Sequence, residues 1–466
     1  MLCTLLAGGI ACAQTAPLTP ERPWNVPSGR QQLNAPPRSA PAFTPDPSKI
    51  YQLSGLINIA EQNNPETRVA WENAKARAAD LGIAKAALYP TLAAAALAET
   101  TRENVFFAPE FYRQTLDTFS PVFRLDYIIF EFGARAQEIA ISRNNLLAAN
   151  LQFNDTHRRI IFQVMQAYYR LLDTEGQQDA AEATLKNAQT VQEAAEARLQ
   201  QGLATLPDVL EARSAAAQAD YDLQAAIGAT EIAHGDLATA LGISPTNQFQ
   251  VESVQNLTMP QEIGDTIETS IDKALAQRPD LIQRVAELRA AGAEVKAARS
   301  AYFPTLSFNS DVGLARTYGQ QNQMPGIYSQ TQETWHAQLS VNWNLFDGLA
   351  RENRLAKAKA DRQQAAAAVD ATRDQVENEV WAAYSRARTA LRQQKAAAAL
   401  LASATESYSA ALQSYNYGVR SQIDVVSAQR TLAQARTADV TARTDLLTGM
   451  AALAFQTGDL LHAKGP

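Results

Sequence analysis

The sequence predicts a mainly helical fold with a small β part, built as an internal tandem duplication. Three observations predict it. Alanine supplies 88 of the 466 residues, and alanine both favours helix and lets helices approach closely. Two very long segments, roughly Gly133 to Gln201 and Leu349 to Tyr417, contain no proline and a single interior glycine, Gly176. The chain also repeats itself in register.

The repeat is read from paired elements. Asn64-Pro65-Glu66 recurs as Arg278-Pro279-Asp280, and Tyr89-Pro90-Thr91-Leu92 as Phe303-Pro304-Thr305-Leu306, both 214 positions apart. Ala134-Arg135, Ala167-Tyr168, Gly202, Asp208-Val209 and Gly242 recur 216 positions on as Ala350-Arg351, Ala383-Tyr384, Gly418, Asp424-Val425 and Gly458. One register held over so long a span is not chance. The two-residue slip falls between Leu306 and Phe346. The organisation expected is a signal peptide (1–13), a Pro-rich tether (14–49), a first repeat (50–243), a linker (244–264), a second repeat (265–460) and a tail (461–466).

Met1 to Ala13 is uncharged and mostly apolar, the length of a secretory core segment, with Ala11-Cys12-Ala13 as a small-x-small cleavage site. Gly9-Ile10-Ala11-Cys12 is also similar to a bacterial lipobox, with Gly9 where leucine is expected. Cleavage after Ala13 and lipidation of Cys12 are alternatives. Nine prolines between Pro17 and Pro47 make the next stretch an extended tether. No later stretch reaches 18 uninterrupted apolar residues, so no transmembrane helix is expected.

Each copy then reads in one order. A helix from Pro65 to Tyr89, or Pro279 to Phe303, leads into period-two segments. In the second copy Leu306, Phe308, Val312 and Leu314 alternate with Ser307, Asn309, Asp311 and Gly313; Leu339, Val341 and Trp343 alternate with Gln338, Ser340 and Asn342. The first copy is fainter, Leu92 to Thr100 and Phe119 to Phe130. The long segments follow as rods of about 100 Å at 1.5 Å per residue. Their apolar stripe is narrow and small-sided (Ile161, Val164, Tyr168, Leu171; Val369, Val376, Val380, Ala383), as for helices packed closely on neighbours. Each rod ends in a hairpin. Gly202 and Gly418 suit the left-handed position after a helix, and Thr205 with Asp208, or Ser421 with Asp424, makes a capping box for the return helix.

Composition excludes several functions. With 19% charged residues and a net charge of −7 the chain is no general nucleic-acid binder. Both cysteines, Cys3 and Cys12, lie in the first dozen residues, so the body has no thiol for disulfides, metal sites or catalysis. The four histidines (157, 234, 336, 462) are scattered, without HExxH, GxSxG or a Walker loop. No enzyme, cofactor or metal role is expected.

Taken together, the duplication, the Asn-Pro-Glu and Tyr-Pro-Thr-Leu elements, Asn344-Leu345-Phe346-Asp347-Gly348 and the two glycine-centred tips followed by Asp-Val resemble the TolC-like outer-membrane efflux protein family, from about Tyr51 to Leu460. The resemblance implies the outer-membrane channel of a tripartite efflux or type I secretion system. It implies a homotrimer, each chain giving four strands to an outer-membrane β-barrel continued by a long periplasmic α-helical barrel. Partners would be a periplasmic adaptor (membrane fusion) protein, an inner-membrane transporter of RND, ABC or MFS type, and outer-membrane lipid. Four strands are also too few to close a barrel alone. Residues 105–118 and 319–333 would be extracellular loops and would absorb the slip. The tips would form the periplasmic gate, with Asp208 contacting Tyr415, Arg420 reaching the first hairpin, and Asp424 forming an acidic ring; the family's second ring position is Ser427 here. Gly202, Leu203, Ala204, Gly418, Val419, Arg420 and Ser421 would contact the adaptor. Tyr415 and Tyr417 as interhelical packers, and Arg420 as a plain neutraliser, stand as the alternative readings. A soluble coiled-coil scaffold also accounts for the alanine and the spacing, but the strand blocks and export signal speak against it.

Overall fold

The computed structural model describes residues 45–47, 49–321 and 324–461. The signal-peptide segment, Cys12 and nearly all of the tether lie outside the described residues, as does most of the tail. In chain order the elements are β1 (Ile50–Tyr51), α1 (Leu53–Asn63), α2 (Pro65–Ala86), β2 (Thr91–Phe107), β3 (Glu110–Phe130), α3 (Ala134–Gln200) and α4 (Leu206–Ala240). There follow β4 (Gln250–Val251), α5 (Ile267–Gln277), α6 (Pro279–Ser300), β5 (Thr305–Gln321), β6 (Met324–Asn342), α7 (Ala350–Asn416) and α8 (Gln422–Thr457). The run from α1 to α4 is thus repeated from α5 to α8. None of the described helices is long and apolar enough to cross a membrane.

One antiparallel sheet has the order β2-β3-β5-β6, so the two copies meet at its middle, while β2 and β6 are its edges. Registration sorts its residues by face. Leu92, Ala94 and Ala96 lie opposite Leu125, Phe123 and Pro121; Phe123 faces Val312, and Val312 faces the 78% exposed Trp335. The other face is polar. There Asn309 donates to the Asp126 carboxylate at 2.6 Å, Thr118 and Thr317 hydroxyls pair at 3.3 Å, and His336 lies 3.6 Å from Asp311.

The strands are longer than expected. Residues 105–107, 110–118, 319–321 and 324–333, expected as loops, are strand: pairing runs on to Phe107↔Glu110 and Gln321↔Met324. Their polarity hides this, because above the apolar rows both faces carry polar residues, Thr100, Arg102, Asp117 and Thr115 on one and Glu99, Glu103, Gln114 and Thr118 on the other. Backbone pairing continues where period two has vanished. The slip itself falls where expected. Thr91 pairs with Asp126 and Thr305 with Asn342, so the offset changes from 214 to 216 within the second hairpin, at the register shift between Gly319 and Gln321. A bulge beside a hairpin end is where an insertion disturbs the ladder least.

A matching device joins sheet to rod in each copy. Glu131 accepts from the Arg135 backbone N–H at 3.0 Å and holds its guanidinium at 2.7 Å. Asp347 does the same for Arg351, at 3.1 and 3.3 Å. A second duplicated joint lies where the return helices end. Gly242 and Gly458 have φ +75° and +88°, a conformation glycine adopts at no steric cost. A Cβ on Gly242 would meet the Asn63 carbonyl at 2.8 Å, and one on Gly458 would lie 3.4 Å from Gln277 Cβ. The copies then diverge. Asn64 caps α2 by accepting from the Glu66 N–H at 2.8 Å, whereas Arg278 is buried and binds Asp280 at 2.6 Å and Glu379 at 2.7 Å. Nearby, the buried Arg158 stacks on Phe455 at 4.3 Å and binds Asp155 at 2.6 Å.

The rods pack through small residues. Each pairs with its own return helix, α3 with α4 and α7 with α8, and α3 also lies along α8. Gly176, the lone glycine of the first rod, sits where a Cβ would stand 2.6 Å from Val440 Cγ1; Gly449 approaches Ala387 Cα as closely as 3.3 Å by the same construction. Burial, with Asp179 adding repulsion, pushes the Glu175 carboxyl up to about 7.

Two outcomes follow from this seam. Gly176→Val pushes α3 from α8 and lowers the temperature at which the purified protein unfolds, while Gly176→Ala combined with Val440→Ala preserves it. Between the ordinary glutamate value and about 7 the folded chain holds a proton on Glu175 that the unfolded chain has lost. Stability therefore falls as pH rises across that window, and Glu175→Gln flattens the dependence in denaturation curves taken from pH 5 to 8.

Candidate functional site

The two hairpin tips are built alike. At the end of α3, Gly202 has φ +74°; its N–H donates to the Leu199 carbonyl at 2.9 Å and the Leu203 N–H to the Arg198 carbonyl at 2.8 Å. At the end of α7, Gly418 has φ +72°, with Gly418 N–H to Tyr415 at 3.0 Å and Val419 N–H to Ser414 at 2.9 Å. Both are Schellman closures, which need a residue free of the left-handed penalty. Three residues past each glycine the next helix is capped. Asp208 Oδ2 accepts from the Thr205 N–H at 2.9 Å and hydroxyl at 2.7 Å. Asp424 Oδ2 accepts from the Ser421 N–H at 3.0 Å and hydroxyl at 2.8 Å.

Capping engages one oxygen of each carboxylate. Among the described residues Oδ1 of Asp208 and of Asp424 takes no hydrogen bond, so each remains available to a second partner. The serine and threonine donors hold both groups below the usual carboxylate range, first through the hydroxyl and then through the backbone N–H; Arg420 adds a weaker pull on Asp424. Both tips therefore carry a full negative charge at neutral pH.

Under the tips the hairpins share a small core of Val191, Ala195, Val209, Ala212, Tyr415 and Val425. Tyr415 belongs to it with only 6% of its surface exposed. Packing is thus a role that Tyr415 does fill. Within one chain Asp208 and Tyr415 share no hydrogen bond: the aspartate is turned to its own cap, and the tyrosine hydroxyl has no hydrogen-bond partner among the described residues. The face of the Tyr415 ring is taken by Arg198, whose guanidinium carbon lies 4.2 Å from the ring centroid. Arg198 also donates to the carbonyls of Tyr415 and Asn416, both at 3.1 Å. Sequence reasoning missed this residue. Its one signal is an asymmetry, since the duplicated position of Arg198 is Ser414.

Arg420 is exposed and forms no ion pair or side-chain hydrogen bond among the described residues. Tyr417 does not pack between helices of its own chain: it is 84% exposed, because the α7 C-cap turns it outward past the last helical turn. Leu203 and Val419 flank the turns at 72% and 78% exposure. The tips thus present apolar side chains around a charged pair of caps. Trp343 and Phe346, at the other end of the rods, are also exposed, the Trp343 indole N–H donating to the Tyr302 carbonyl at 3.1 Å. Among the described residues there is no group of three or more His, Cys, Asp or Glu placed to hold a metal ion.

Comparison with known proteins gives this geometry its context. A family model described as outer membrane efflux protein matches residues 56–243 and 270–459. The protein CyaE of Bordetella pertussis is 27% identical over 442 residues, spanning 92% of this chain and 91% of that one. The outer membrane protein OprJ of Pseudomonas aeruginosa is 24% identical, over 81% and 78% of the two chains. The solved outer-membrane channel OprN shares the fold, with a TM-score of 0.77 at 21% identity, over 91% of this chain and 97% of that one.

The caps fix an expected pH response. Their folded-state pKa values are depressed, so their contribution is complete above the unfolded carboxylate value near 4 and is lost as pH falls through the folded value. The protection of amide hydrogens at residues 203–210 and 419–426, relative to the unfolded chain at the same pH, falls over that acidic range. Thr205→Ala brings faster exchange at 203–210 already at neutral pH, on the scale of about 1 kcal/mol for a lost cap.

Proposed function

The chain belongs to the outer membrane efflux protein family, and from that membership we propose that three copies form the outer-membrane exit duct of a tripartite export system. The observation that carries the reading is the sheet: four strands, apolar on one face, polar on the other, with both edges unpaired among the described residues. In lipid an open edge leaves backbone groups without partners. Twelve strands from three copies close it, turning the apolar face to lipid and the Asp126, Asn309 and His336 face to a water-filled lumen. The 67-residue rods α3 and α7, each about 100 Å long, carry the duct across the periplasm as a helical barrel. The duct has no catalytic role; it gives passage to what an inner-membrane transporter of RND, ABC or MFS type delivers.

The tips are its entrance. Among the described residues Arg420 forms no ion pair or side-chain hydrogen bond, and Oδ1 of Asp208 takes none. The pair suits a contact between neighbouring copies that holds the entrance narrow. Three Asp424 carboxylates around the axis favour cations. The exposed Leu203 and Val419, with Gly202, Ala204, Gly418, Arg420 and Ser421 around them, offer a periplasmic adaptor protein a small apolar contact at each tip. Division into a first repeat at 50–243, a linker at 244–264 and a second repeat at 265–460 accompanies this reading. So does export directed by residues 1–13, with Cys12 as a lipid anchor where it is retained.

In planar bilayers Arg420→Ser raises single-channel conductance, and Asp424→Asn lowers the preference for cations over anions. Unchanged conductance and selectivity in both variants contradict the entrance assignment. Recovery of the protein as a soluble rod, rather than as heat-modifiable trimers in outer-membrane fractions, contradicts the duct itself.

A further inference from the structure

The polar contacts at the tips divide into two kinds. Most are local to one hairpin: both capping boxes, and the Arg213–Glu196 pair at 2.8 Å that ties α4 to α3. Arg198 is different, because it starts on the first hairpin and ends on the second. We propose that Arg198 is the latch that holds the α7/α8 hairpin against the α3/α4 hairpin of the same chain, and so is a positioning residue for the entrance. The inference rests on reading the tips as the entrance.

The end of α7 suits such a latch. A helix C-terminus carries unsatisfied carbonyls and a partial negative charge. The Schellman closure satisfies Ser414 and Tyr415 from within the hairpin, but Asn416 O has only Arg198 as a side-chain donor, at 3.1 Å. The guanidinium fork spans two successive carbonyls, Tyr415 at 3.1 Å and Asn416. The guanidinium carbon lies over the Tyr415 ring, 4.2 Å from its centroid, a cation–π contact strengthened by the burial of that ring. Charge, fork and ring act on one residue that is packed into the core shared by all four helices.

Two consequences separate this latch from carboxylate contacts between copies. Its acceptors are backbone carbonyls, so it makes no use of the Asp208 and Asp424 carboxylates. It is also unreciprocated: Ser414 stands at the duplicated position and cannot reach back to α3 in the same way. Each chain thus has one latch, and the second hairpin is held by the first.

The test is single-channel recording of the purified full-length trimer, with heat dissociation measured in parallel. Arg198→Gln raises the open-state population by roughly tenfold, the scale of one charged hydrogen bond, with the heat dissociation of the trimer unchanged. Arg198→Lys gives a smaller rise, since an ammonium keeps its charge over the ring but has no fork for two carbonyls. Tyr415→Leu opens the channel as Arg198→Gln does, because the guanidinium loses the ring it lies over. The rise with Arg198→Gln has the same size at pH 7 and in acid, while that of Arg420→Ser shrinks in acid as its carboxylate partner is protonated. Wild-type recordings for Arg198→Gln beside an open Arg420→Ser overturn the latch and leave the entrance reading standing. Wild-type recordings for both overturn the two together. Equal opening by Arg198→Gln and Arg198→Lys with earlier dissociation also overturns it, since that is plain loss of structure.

Discussion

A sheet placed in lipid has to satisfy every backbone N–H and C=O from within the protein. That constraint governs this molecule. One chain supplies four strands in the order β2-β3-β5-β6, and their pairing leaves the outer edges of β2 and β6 open. Among the described residues, nothing covers the apolar rows built from Leu92, Phe123, Val312 and Trp335. In the proposed trimer, closure by further copies answers both demands at once and brings the rods side by side. The proposed duct follows from a chain whose four strands are too few to finish a barrel alone.

A wall made of rods has to be thin, and the alanine content follows from that. In the proposed duct the helices meet neighbours on their flanks and water on one face, which leaves no wide core for large aliphatic side chains to fill. Close approach takes its place. Gly176 lets α8 bring Val440 against α3, and Gly449 lets α8 reach the backbone of α7 at Ala387. Where the return helices stop, Gly242 and Gly458 tuck the chain against the starts of α2 and α6. The duplication reuses each joint and changes only what must differ, as when the capping Asn64 gives way to the buried, ion-paired Arg278.

Much of this was legible in the sequence, for physical reasons. The rods could be read because nothing breaks them, and their ends because Schellman glycines and capping boxes are strictly spaced: α3 and α7 stop one residue before the positions at which Gln201 and Tyr417 end them in the sequence reading. Strand lengths were not legible. Above the apolar belt, Thr100, Arg102 and Asn104 face one way and polar residues the other, so pairing persists where the alternation does not. The short parallel pair of β1 with β4 spans two residues per strand and leaves no periodic trace. At the tips, each capping carboxylate was visible, but the partner of Tyr415 was not. Arg198 acts on carbonyls, which every residue has, so no motif announces it.

The central claim is that β2 of one copy closes on β6 of the next, three times around. Single cysteines placed along each of these two edges, one pair per variant, and oxidised in isolated outer membranes test it most directly. The account predicts that one register of pairs yields a covalent ladder of two and then three chains, and that no larger species forms. A ladder that stops at two chains, or a crosslink formed only within one chain, would contradict it.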